Sequence, residues 1–284
     1  MDASSQASKT ALMVCAYRAR ATARPQPICR DPWAAALAGD EGARLAAAFD
    51  ARFPHMELWL ALRVAYLDAQ VVYWTAHGVN QVVILGAGFD TRAARLARTG
   101  VQFFEVDHPA TQADKRARLA RHVSYPIDAP RYVAVDFEAP ARGDFVDALV
   151  RAGFDLAQPA LILWEGVVPY LTEAAVRATA RRVAHDLHPS SILIFDFVGK
   201  RMVEGLAGRA QDRQTAEYVA ALGEPIRFGT NDILPLLAAE GFRQVRVQSF
   251  DELALAATGT YDRAREFRFP SVCLCSAAPW RASP

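Results

Sequence analysis

The sequence predicts an α/β fold, with a mostly parallel sheet covered by helices on both faces and a purely helical segment ahead of it. Three observations carry this. From residue 81 onward, short β-rich runs alternate with helix-like stretches, the pattern of successive βαβ units. The first of these runs, VVILGAGFDTR at residues 82–92, ends four apolar residues on a glycine pair, as a strand does when it turns into a ligand-facing helix. Residues 10 to 75 instead repeat their apolar side chains every three or four positions, the period of amphipathic helices.

The helical segment runs from TALMVCAYRARA through DPWAAALAG to ELWLALRVAYLDAQVVYWTAHG, punctuated by Pro25, Pro27, Pro32 and Pro54. Residues 1–78 are therefore expected to form an extension and residues 79–284 the sheet domain. The predicted strands are QVVILG, VQFFEV, RYVAVDF, ALILWEG, SILIFDF and RQVRVQSF, with FPSVCLCSAA as the last. Between them DTRAARLART, PATQADKRARLARH, GDFVDALVRAG, TEAAVRATARRVAHDL and NDILPLLAAEG have helical periodicity. Thr172 before Glu173 and Asn231 before Asp232 read as helix starts, and Gly241 as a helix stop. Residues 199–229 interrupt the alternation with glycines and charged helical residues, and are expected to form a lid-like helical insertion.

At 284 residues, 52% of them apolar, the chain can bury a large core without metals or disulfides. The formal charge of +1 offers no overall field for nucleic acid or an anionic membrane, and a small-molecule partner fits better. The polar amino terminus MDASSQASKT lacks the order of a secretory signal, so a cytoplasmic location is expected. Cys15, Cys29, Cys273 and Cys275 form no C-x-x-C pair and read as reduced packing residues, with no metal site.

In an open parallel sheet, ligands bind beyond the carboxyl ends of the strands. Gly86, Ala87 and Gly88 lie there, with no Cβ at two positions to keep a ligand from the backbone. The turn lacks the third glycine of a dinucleotide cradle. Glu105 and Asp107 close the second strand, where a carboxylate can accept from both hydroxyls of a ribose. Asp136 and Phe137 follow the third and can address the edge and face of an adenine. Asp90, just past the turn, would repel a phosphate and attract an ammonium or sulfonium. S-adenosylmethionine combines adenosine with a cationic sulfur and carries no phosphate. The ordinary role of such acids is to cap a helix or face solvent; several at successive strand ends favour a ligand site.

Of the six histidines, His55, His77, His108, His122, His185 and His188, only His108 and His55 are placed to act as a base, and packing or surface roles suit both. The lack of an evident base favours an acceptor that is already ionised, a carboxylate, over a phenol or alcohol. Arg63, on the apolar helix ELWLALRVAYL, can snorkel to solvent or fork onto a carboxylate. Trp33, Trp59, Tyr66, Tyr73 and Trp74 suit core packing, and some of them the wall of an apolar pocket.

VVILGAGFDTR, FFEVDHPATQADKRARL and LILWEGVVPYLTEAAV, in this order and spacing, resemble the leucine carboxyl methyltransferase family, especially its bacterial branch, as do SKTALMVCAYRA and RDPWAAALAG. The resemblance implies a seven-stranded, Rossmann-like methyltransferase sheet, S-adenosylmethionine as donor, and an O-methyltransferase reaction. By position it implies cofactor contacts at Gly86, Gly88, Asp107, Asp136, Phe137 and Glu165, with Arg63 near the cofactor carboxylate and the acceptor and Tyr170 bordering the acceptor. Lys9 aligns loosely with a basic residue that some members keep for the acceptor. Replacing Arg63 by alanine is expected to cost activity far more than stability. The acceptor implied is a protein tail, a peptide, or a small natural-product acid. A nicotinamide-dependent oxidoreductase and a non-catalytic cofactor-binding module are the rival readings.

Overall fold

A computed structural model describes residues 8–137, 144–203, 210–259 and 272–279. Three helices come first, α1 (Lys9–Thr22), α2 (Ala34–Asp50) and α3 (Met56–Ala76). Then follow β1 (Gln81–Leu85), α4 (Arg92–Arg95), β2 (Gln102–Asp107), α5 (Pro109–Leu119), β3 (Pro130–Ala134), α6 (Phe145–Arg151), β4 (Ala160–Trp164), α7 (Glu173–Asp186) and β5 (Ile192–Val198). The chain closes with α8 (Ala210–Ala221), α9 (Leu234–Ala239), β6 (Phe242–Ser249), α10 (Phe250–Thr258) and β7 (Val272–Pro279).

The seven strands form one sheet in the order β3-β2-β1-β4-β5-β7-β6. Parallel ladders join only five of them, β3 through β5, while β7 runs antiparallel to both β5 and β6. A sheet parallel in most of its strands is thus correct for the larger part and needs that correction at one edge. Strands β1, β4 and β5 are buried along their whole length, so their sequences read as continuous apolar runs, as both-face burial requires. Val83 and Leu85 pack on one side with residues of α6 and α7. Val82 and Ile84 pack on the other with Leu67 and Val71 of α3. Strand order reverses between β1 and β4, which opens a crevice at their carboxyl ends.

The helix ends follow their predicted caps unevenly. Thr172 caps α7 by accepting from the Ala175 N–H. Asn231 and Asp232 do not start α9; Asp232 instead accepts from the Leu234 N–H, and the helix begins two residues later than expected. Gly241 follows α9 with φ +106°. The stretch DTRAARLART yields only the single turn of α4, ahead of which Asp90 accepts from the Arg92 N–H. Among the described residues no helix is long and apolar enough to cross a membrane.

Helices α1 and α2 lie against each other over the carboxyl edge, joined by Leu12, Tyr17, Leu37 and Phe49. The Tyr17 hydroxyl donates to the Ala46 carbonyl at 2.9 Å. Their approach is close enough that a Cβ on Gly42 would fall 2.6 Å from the Leu12 carbonyl oxygen and 3.0 Å from the Ala38 Cβ. Gly42→Ala should therefore destabilise the protein by about 1–3 kcal/mol of overpacking, less the ~1 kcal/mol that alanine gains over glycine in a helix. Denaturant unfolding reads the net sign, and a more stable variant would show that the two helices can part.

Candidate active site

The crevice is built first by the turn after β1. The Gly86 and Ala87 N–H groups donate to the Val106 carbonyl at 2.7 and 3.1 Å, and Gly86 and Gly88 take φ of +64° and +51°. A Cβ on Gly86 would meet Val167 Cγ2 at 2.3 Å, so glycine is required by both conformation and space. Asp107 ends β2 with one oxygen accepting from the Gly88 N–H and the other from the His108 N–H. These bonds fix the carboxylate while leaving lone pairs for a ligand hydroxyl. Burial raises its pKa despite both bonds.

Behind the turn runs a continuous chain of buried ion pairs. Arg63, from the middle of α3, donates from Nε to Glu165 at 2.8 Å and from Nη1 to Asp196 at 2.9 Å. Asp196 also accepts from the Gly166 N–H at 2.6 Å. Arg92 bonds Glu165 at 2.7 Å, Asp68 at 2.7 Å, and Asp90. Arg95 continues the chain to Asp68 and, at 4.0 Å, to Asp31. Asp31 holds Arg18 at 2.9 Å, whose Nη2 reaches the Phe89 carbonyl at 2.6 Å. Burial alone would raise the Glu165 pKa, but Arg92 and Arg63 outweigh it and hold the carboxyl at about 2.

A cleft of about 490 Å³ lies over this floor, within the range of small-molecule sites. Its lining includes Gly86, Ala87, Gly88, Asp90, Asp107, Asp136, Phe137, Glu165, Arg63 and Tyr170. The structure thus brings these ten residues to one cavity. The electrostatics differ from the expectation at two of them. Asp90 and Glu165 are not free carboxylates awaiting a cation, because arginines already pair both. Glu105 is not at the cleft: it is fully buried inside β2 against Lys115, so only Asp107 can meet a ribose. Lys115 also donates to the Asp90 carbonyl and so pins the loop beyond the turn. Lys9 is exposed and outside the lining, where its neighbours Ser8 and Thr10 stand instead.

A second pocket, of about 100 Å³, lies beneath α8 and is walled by Met13, Phe49, Phe53, Met56, Trp59 and Phe250 among others. Thr10, Val14, Arg63, Gly166 and Tyr170 border both cavities. Of the aromatic residues in the extension, Trp59 lines this pocket, Trp33 packs edge-on against Tyr125, and Tyr73 is half exposed beside Trp74 and His77. The expected insertion supplies Thr215 and Val219 of α8 and Ile226 to the roof; its residues 204–209 lie outside the described residues. His55 borders neither cavity and His108 only the cleft. With Nδ1 of His108 accepting from the Ala110 N–H, its neutral ring carries the proton on Nε2 and has no free acceptor. Cys15 and Cys29 are buried free thiols; the side chains of Cys273 and Cys275 lie outside the described residues.

Sequence reasoning missed Arg92, Asp196, Asp68 and Arg18. A signal existed for Asp196, a lone acid inside the apolar run SILIFDF, since a charge buried in a strand demands a partner. Arg63 was expected to matter for activity far more than for stability; its burial and its two ion pairs argue for a stability role as well. Arg63→Ala leaves Asp196 buried without a guanidinium and Glu165 held by Arg92 alone, and should cost about 3–5 kcal/mol in denaturant unfolding; a loss below ~1 kcal/mol would contradict the pairing. The depressed pKa of Glu165 gives a second prediction. Its ionised form stabilises the fold above the ordinary carboxyl value of 4.5, and that contribution, about 3 kcal/mol, disappears as pH falls toward 2. The stability gap between wild type and Glu165→Gln should be constant above about pH 5 and close on acidification; a gap that stays open at pH 2 would rule out the linkage.

Comparison with known proteins bears on the family and the fold. A protein of Mycobacteroides abscessus, named as an S-adenosyl-L-methionine-dependent methyltransferase, is 35% identical over 223 residues, covering 74% of this chain and 72% of its own. One of Mycolicibacterium smegmatis with the same name is 37% identical over 227 residues, covering 74% and 70%. Two solved structures share the fold at low identity: a DUF574 family protein of Streptomyces avermitilis (TM-score 0.66, 16% identity, 94% and 97% coverage) and a methyltransferase candidate of Thermobifida fusca (0.65, 17%, 99% and 97%). The model of one family, described as leucine carboxyl methyltransferase, matches residues 11–184. On that match and the two relatives, the chain belongs to the leucine carboxyl methyltransferase family.

Proposed function

We propose that this S-adenosylmethionine-dependent methyltransferase forms a methyl ester on the carboxylate of a small, largely apolar acceptor, such as a natural-product acid or a peptide end. The observation that carries the reading is the junction of the two cavities at Arg63, Gly166 and Tyr170. The larger cleft takes the donor: Asp107 for the ribose, Asp136 and Phe137 for the adenine, and the Gly86–Gly88 turn for the backbone approach. The apolar pocket, to which residues 1–78 contribute one side of the wall, takes the acceptor.

The bound donor supplies a methyl carbon on cationic sulfur; an acceptor oxygen forms the new O–C bond while the C–S electron pair returns to sulfur, and no proton moves. The protein's part is to align the two, which in well-positioned pairs is worth roughly 7–11 kcal/mol. Arg63 uses Nε and one Nη1 proton on Glu165 and Asp196, which leaves donors of its fork for a carboxylate. Tyr170 stays a neutral phenol, its pKa raised by burial, and so borders the junction without adding charge.

A phenol or alcohol acceptor would need a base. Among the described residues that line the apolar pocket, the ionisable ones are Arg63, Asp196 and Tyr170. Both oxygens of Asp196 already accept, from Arg63 and the Gly166 N–H. This favours the carboxylate, which is ionised without help above about pH 5. The transfer rate on an acid should therefore be flat between about pH 6 and 9, whereas transfer to a phenol would climb toward its pKa near 10. With methyl-labelled donor, acids should yield a base-labile label released as methanol. Stable label on phenols and none on acids would overturn the carboxylate.

A further inference from the structure

The apolar pocket contains two hydrogen-bond donors that the protein leaves unused. The Thr10 hydroxyl and the Trp59 indole N–H are both buried, and neither has a partner among the described residues. Thr10 is only 7% exposed. It lies in the first turn of α1. Trp59 meets Phe250 at 5.4 Å and Phe53 at 6.1 Å in edge-to-face contacts, and the Arg63 guanidinium lies over its ring at 5.2 Å from the centroid. Its N–H is left over. Buried donors without acceptors are rare and costly in folded proteins, and both side chains line the same cavity. Thr10 also borders the donor cleft; Trp59 does not.

We propose that these two groups read the acceptor, and that its class is an apolar carboxylic acid carrying a second oxygen, an oxo or ether group, within its hydrocarbon part. This rests on the apolar pocket being the acceptor site. At the junction, the Thr10 hydroxyl donates to the carboxylate oxygen that is not methylated, beside Arg63. Deeper in, the Trp59 N–H donates to the second oxygen. A pocket that supplies a buried donor discriminates strongly against an analogue without the matching acceptor, since the donor is then left unpaired. Met13, Phe49, Phe53 and Met56 offer only apolar contact around them.

The probes are hexanoic acid and 5-oxohexanoic acid, titrated by calorimetry into the full chain saturated with S-adenosylhomocysteine, with ester formation measured separately in the presence of the methyl donor. Wild type should bind the oxo acid about tenfold more tightly or better. Trp59→Phe keeps an aromatic ring and removes the N–H; it should bring the two acids to within about twofold while leaving affinity for the demethylated product unchanged. Thr10→Val should weaken both acids alike, by about tenfold. Equal binding of the two acids to wild type, a preference that survives Trp59→Phe, or no binding of either acid would overturn the proposal. Preferential binding without ester formation would instead leave the proposal standing and count against the carboxylate chemistry. Equal binding with ester formation does the reverse.

Discussion

Arg63 is the residue on which the arrangement depends. It comes from the helical extension, yet its guanidinium reaches Glu165 beyond β4 and Asp196 within β5, so one side chain ties α3 to two adjacent strands at the crevice. From there the ion pairs run through Arg92, Asp68, Arg95 and Asp31 to Arg18 on α1. With Asp90, five carboxylates face four guanidiniums. Burying such a chain gains little over apolar packing, but removing any one member leaves an uncompensated charge. Its consequence is therefore geometric more than energetic: α1 and α3 can sit only where each guanidinium meets its carboxylates, and that placement makes part of the wall of both cavities. The slight excess of negative charge beneath the cleft also suits a donor whose reactive atom is cationic.

Much of the sheet domain was legible because its physics is local. Strands buried on both faces must be apolar throughout, and helices between them must show a 3.6-residue period, so the βαβ order could be read directly. The glycine turn was equally readable, since positive φ at Gly86 and Gly88 leaves few alternatives to glycine. Less was legible at the far edge. The antiparallel entry of β7 between β5 and β6 depends on where a long connection carries the chain, and no residue in FPSVCLCSAA announces its direction.

The site divided along the same line. Asp107 and Asp136, read from their position at strand ends, both line the cleft. Glu105 misled because strand periodicity places it on the same face as Asp107, whereas its position two residues earlier puts it inside the sheet, where Lys115 neutralises it. Asp90 was read as a free charge although its partner Arg92 stands only two residues on, whereas Glu165 meets Arg63 across 102 residues of chain, a pairing that no local pattern announces. The apolar pocket was the least legible part. Its walls come from α1, α2, α3, the segment after β4, α8 and the start of α10, and only the aromatic content of the extension hinted at it.

The coupling of fold and site through Arg63 is tested most directly by a double-mutant cycle between Arg63→Met and Asp196→Asn, with unfolding free energy and affinity for S-adenosylhomocysteine measured on the same four proteins. The account predicts a coupling of about 1–3 kcal/mol in stability, with the double variant less impaired than the two single losses combined, together with weakened binding in each variant. Additive stability effects with unaltered binding would contradict it.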